Sequence, residues 1–109
     1  MTQTELCTIL KATGYPVAYS HFKSSDKIPL PTPPYICYLS AYSSNFMADD
    51  IVYKDIDNLQ IELYTVVKDP VAEKKITDLL KTNGIAYQSS EDWIESEQLF
   101  QKIYEVRLI

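Results

Sequence analysis

Four of the chain's six prolines fall within eleven consecutive residues, SSDKIPLPTPP at 24–34. Proline fixes φ and carries no amide hydrogen, so this stretch can be neither a helix nor a central strand. It reads as an extended, polyproline-like connection, and a new element has to begin after it. Residues 35–42, YICYLSAY, supply that element. Their β-branched and aromatic content, unbroken by turn formers, predicts a well-buried strand.

Ahead of the prolines, Thr4 is positioned to cap a short helix reaching about Ala12, with Leu6, Ile9 and Leu10 as its apolar stripe and Gly14 as its stop. The segment YPVAYSHF at 15–22 favours strand, but Pro16 confines it to an edge segment or a packed loop. After the strand at 35–42, the residues at 43–50 read as a polar loop holding the apolar pair Phe46 and Met47. Ile51, Val52 and Tyr53 then lead into a turn at 55–58. The return strand is 59–67, with Leu59, Ile61, Leu63, Thr65 and Val67 on the face expected to be buried.

Asp69-Pro70 is a strong helix start, because the carboxylate accepts first-turn amides and proline at the first helical position gives up no needed donor. The helix is expected over 70–83, with Val71, Ala72, Ile76, Leu79 and Leu80 as its apolar face and Gly84 as its stop. A short strand at 85–88 and a long one at 99–109 follow, separated by an acidic segment at 89–98 with Trp93 and Ile94 at its centre. These elements predict one α+β domain over residues 1–109. Its fold is a single mixed, mostly antiparallel β-sheet of four to five strands with two helices packed on one face, in α-β-β-α-β-β order.

Little of the chain is suited to chemistry. His21 is the one histidine, and no nucleophile-elbow context surrounds it. The two glycines, Gly14 and Gly84, are both explained as helix stops, so no phosphate-cradling loop can be written and no cofactor is expected. Cys7 and Cys37 lie far apart without metal-ligand spacing and read as buried free thiols. Asp55 and Asp57 lack the glycine and terminal glutamate of a calcium-binding loop, and no metal site is expected. A net charge of −5, with the basic residues scattered, argues against a dedicated nucleic-acid binder. An acidic surface is compatible with a protein past which DNA slides without sticking. No stretch is apolar enough for a membrane span, and Met1-Thr2-Gln3-Thr4 does not open like a signal peptide, so synthesis in the cytosol is expected. What stands out is nine tyrosines, suited to sheet surfaces and to interfaces alike, and apolar residues in polar segments: Phe46 and Met47, Trp93 and Ile94. Such residues either tuck back onto the core or anchor a partner.

Several words of the sequence carry a family resemblance. They are Ser44-Asn45-Phe46-Met47-Ala48-Asp49-Asp50 before Val52-Tyr53, Ile61-Glu62-Leu63-Tyr64-Thr65, Lys68-Asp69, and Trp93-Ile94-Glu95-Ser96-Glu97 before Tyr104-Glu105. Across most of the chain these resemble small proteins of the morphogenesis modules of tailed phages and prophages of Gram-positive bacteria. The order of helix, hairpin, helix and hairpin is similar to that of tail terminator, or tail-completion, proteins. This resemblance implies a non-enzymatic virion protein, assembled in the host cytoplasm and located at the tail-head junction. It implies a homohexameric ring that caps the tail tube and takes part in head-tail joining, with the major tail tube protein and the head-tail connector or stopper as partners. DNA would meet it only by passage through the ring, and a membrane not at all. The implied interface residues are Asn45, Phe46, Met47, Asp49 and Asp50 in one region and Trp93, Ile94 and Glu95 in the other. A connector or neck protein of the same module is the alternative, and a small ligand-binding domain with an acidic cleft is a third.

Overall fold

A computed structural model describes residues 2–22, 31–48 and 51–108, and for 41–48, 51–57 and 108 the backbone alone. The chain is α+β, with two helices and a five-stranded mixed sheet. Helix α1 spans Gln3–Lys11 and strand β1 Val17–Tyr19. Strands β2, Tyr35–Ala48, and β3, Ile51–Thr65, form the first hairpin. Helix α2 spans Pro70–Thr82, and strands β4, Tyr87–Ile94, and β5, Leu99–Leu108, form the second hairpin. The strands lie in the order β1-β2-β3-β5-β4. Among the described residues only the β1–β2 pairing is parallel. The segment 15–22 therefore contributes a short edge strand, and Pro16 sits just before it.

The register decides which side chains are covered. Leu59 pairs with Val106, Ile61 with Tyr104 and Leu63 with Ile36, and opposed residues share a face. All six are buried, together with Leu6 and Leu10 of α1 and Ala72, Ile76 and Leu80 of α2. Both helices thus seal one face of the sheet, as expected, and the four-residue spacing of their buried positions is what puts each row on the sheet.

Several expected boundaries shift. Thr2, not Thr4, caps α1, its hydroxyl accepting the Glu5 amide at 3.1 Å. Asp69 caps α2 as expected, accepting from Ala72 N at 3.1 Å. Val71 is 66% exposed, because Ala72, Ile76 and Leu80 form the buried row and its neighbour is turned about 100° away. Val67 is exposed because β3 ends at Thr65. Gly14 and Gly84 take φ of +85° and +68° past the helix ends, a conformation that disfavours any side chain.

The largest correction concerns the stretches expected as loops and turns. Residues 43–48 belong to β2, and the turn expected at 55–58 runs through β3, where Asp55 pairs with Asn45 and Asp57 with Ser43. A continuous antiparallel ladder satisfies their amides and carbonyls and overrides local turn preference. The strand expected at 85–88 starts at Tyr87 and continues to Ile94, so Trp93 and Ile94 are strand residues facing Phe100 and Leu99. An outer strand with solvent beside it accommodates their Ser, Glu and Asp neighbours.

Candidate functional site

The first hairpin outruns the sheet. Pairing of β5 with β3 extends only to Asp57, opposite Leu108, and β1 pairs with β2 only at residues 36–38. From 43 to 48 and 51 to 56 the two strands have each other alone among the described residues. They form a two-stranded arm, with a register shift between Ser40 and Tyr42 where it leaves the sheet and another between Phe46 and Met47. The molecule is correspondingly long, 51 × 30 × 26 Å. A lone hairpin is marginal in water, so an arm of this length calls for further pairing or packing.

The expected interface residues fall at two opposite ends. Asn45, Phe46 and Met47 lie on the arm's backbone, and Asp49 and Asp50 are outside the described residues. Trp93 and Ile94 end β4 and Glu95 begins the turn into β5, at the end of the sheet away from the arm. The fold therefore does not bring the two groups together. Trp93 is 41% exposed and meets the Phe100 ring edge-on, with centroids 4.7 Å apart. It is neither core nor free, but a half-covered ring at the rim. Beside it, Lys68 joins Glu73 of α2 and Glu91 of β4, at 2.8 and 2.7 Å. These contacts raise the pKa of Lys68 and lower that of Glu91.

The sheet face away from the helices was not singled out by sequence, and it carries a second feature. By register it holds Tyr35, Cys37 and Leu39 of β2, Glu62 and Tyr64 of β3, and Gln101, Ile103 and Glu105 of β5. The rings of Tyr35 and Tyr64 stack with centroids 5.1 Å apart, and Phe22 meets Tyr35 edge-on at 5.4 Å. Tyr64 donates its hydroxyl to Glu62 and accepts from Gln101 Nε2 at 3.0 Å, while Gln60 Nε2 donates to Glu62 at 2.9 Å. A cavity of about 620 Å³ opens at the end nearest the β4–β5 turn. It is lined by Phe22, Tyr35, Cys37, Tyr64, Leu99 and Glu97 among others. His21 borders it, exposed, with Nδ1 3.2 Å from Ser20 Oγ. Alternating Tyr and Glu in IELYT was the available signal for this face, since a period of two sends Glu62 and Tyr64 opposite the core residues.

Burial, helped by the Glu62 carboxylate, pushes the Cys37 thiol up to about 11 from its ordinary 9.0. Burial likewise raises Tyr38 to about 12, and raises Tyr35, Tyr64 and Tyr104 above their usual value. The unfolded chain releases these protons first, so the folded state holds more of them above pH 9 and loses stability as pH rises through 11. The melting temperature is expected to fall steadily across that window. A flat profile there would contradict the buried phenols and thiol.

Among the described residues no cluster of three or more His, Cys, Asp or Glu side chains is arranged to hold a metal. Nor, among those residues, is any helix long and apolar enough to cross a membrane. Compared with protein-family models and with curated proteins, the sequence gives no match. The described surface presents a two-stranded arm at one end of the sheet and an aromatic, acidic face whose cavity opens toward the other.

Proposed function

We propose that this chain is a tailed-phage assembly protein, a tail terminator that closes the tail tube as a ring and presents the surface to which the head attaches. The observation that carries this reading is the arm. Two strands with no third strand beside them among the described residues gain stability by docking on a neighbouring subunit. The sequence word that resembles the phage proteins, from Ser44 to Asp50, runs along this arm and into the connection beyond it. The second such word, from Trp93 to Glu97, lies at the far end of the sheet. A protein set between a tail tube and a head connector needs contact surfaces at two opposed ends. The work is binding, with no bond made or broken, and the acidic surface lets DNA pass.

Incubation of the purified chain with tail tubes, followed by negative-stain microscopy, tests the reading. Rings at tube ends are expected; binding to portal-bearing heads without binding to tubes would instead mark a neck protein. Trp93→Ala refines the test. It is expected to cost about 1–2 kcal/mol of stability, from the lost contact with Phe100, and to abolish attachment. A loss of several kcal/mol, or attachment at wild-type strength, would remove Trp93 from the interface.

A further inference from the structure

The open sheet face and the outer surface of the helices differ in charge. The open face and the turn beside it carry Glu62, Asp92, Glu95, Glu97 and Glu105, with Arg107 as the counter-charge there. The outer surface of the helices exposes Lys11, Lys74, Lys75 and Lys81 against Glu5 and Asp78. Lys74 is paired with Asp78 at 2.7 Å, and Lys75 lies over the Tyr15 ring, 4.8 Å from its centre. Lys11 and Lys81 extend from the last turns of their helices.

The open face offers π-faces and carboxylates, the groups that attract a cation. Tyr35 and Tyr64 present half-buried rings in a cavity with Phe22, and Glu97 sits at its rim. An ammonium group over such rings gains cation–π attraction, and a nearby carboxylate adds to it. Leu39, Ile94, Leu99 and Ile103 lie half-buried on the same face, and no described helix covers them. Three inter-strand spacings of about 4.8 Å and a length of about eight residues give this face a footprint of about 380 Å². That is the scale of one side of a weak, salt-sensitive contact.

We propose that the occupant of this face is a second copy of the chain, docking its lysine-bearing helix surface onto the acidic, aromatic face of its neighbour. Such a contact is heterologous, head to tail, and closes into a ring when the rotation between copies permits. It deepens the ring-forming reading above by naming the surfaces that meet, and it rests on that reading only for closure.

Two charge-reversed variants of the full chain test it. One carries Asp92→Lys and Glu97→Lys on the open face; the other carries Lys74→Glu and Lys81→Glu on α2. All four positions are exposed, and circular dichroism melts confirm folding before use. In sedimentation velocity at low salt, the wild-type chain is expected to self-associate and to lose association as salt rises. Each variant alone is expected to associate at least about tenfold more weakly, because like charges now face each other. An equimolar mixture is expected to regain association, since each variant's altered surface then meets an opposite charge. A wild-type chain monomeric at every concentration, variants that associate as well as wild type, or a mixture that stays apart would each overturn the proposal. Rings on tail tubes that survive both reversals would overturn this interface while leaving the ring-forming function standing.

Discussion

Tyr104→Ala is expected to lower stability by about 3–5 kcal/mol, the largest effect of any single substitution considered for this chain. Among the described residues Tyr104 is the largest fully buried side chain. It stands opposite Ile61 on β5, meets the Tyr87 ring edge-on at 5.9 Å, and directs its hydroxyl toward the Glu73 carbonyl of α2 at 3.4 Å. Removing it opens a ring-sized cavity where the sheet, the outer hairpin and α2 come together. A domain of this size has about 5–15 kcal/mol in all, so the variant should be largely unfolded on warming to ordinary growth temperatures. Tyr104→Phe keeps the ring and gives up only a long hydrogen bond, and should cost about 1 kcal/mol or less. Urea titration of both variants checks the pair. Equal losses would mean that the hydroxyl, and not the ring, holds the layers together.

Replacing residues 44–56 by a two-residue Asn-Gly turn between the paired residues Ser43 and Asp57 is expected to leave the domain folded and to abolish ring formation on tail tubes completely. The excision leaves in place the core residues among the described side chains, Leu6, Leu10, Ile36, Leu59, Ile61, Leu63 and those of α2 and β5. The β3–β5 ladder begins at Asp57, so the excision stops short of it. An Asn-Gly pair supplies the positive φ values of a tight hairpin turn. The melting temperature should stay within a few degrees of wild type while tube ends remain open. An unfolded product would make the arm part of the domain's own stability, and normal rings would show that it is not the contact element.

The core was legible in the sequence because period and capping agree there. Leu59, Ile61 and Leu63 alternate cleanly, and Ala72, Ile76 and Leu80 repeat every fourth residue behind an Asp-Pro start. The arm was not legible, and the reason is physical. Its residues, SSNFMA and KDIDN, have turn and loop preferences, and only the ladder between them makes them strands. Local preference carries no information about a partner strand ten residues away. Trp93 was misplaced in a loop for the same reason: its position follows from pairing opposite Phe100 across the second hairpin. The open face was half legible, since Glu62 and Tyr64 were assigned to the side away from the core. That Gln60 and Gln101 tie them into one polar network depends on the β3–β5 register, which no local pattern encodes. The sequence left open how the two regions expected as interfaces sit relative to each other, and the fold puts the arm and the β4–β5 turn at opposite ends of the sheet.

The most direct test of the central claim is electron microscopy of particles produced by a phage genome from which this gene has been deleted. A tail terminator predicts overlong tails of variable length, unattached, beside heads filled with DNA. Complementation with the intact chain should restore uniform, joined tails, and complementation with the armless chain should not. Intact infectious particles in the absence of the gene would contradict the account, as would loose tails of normal length.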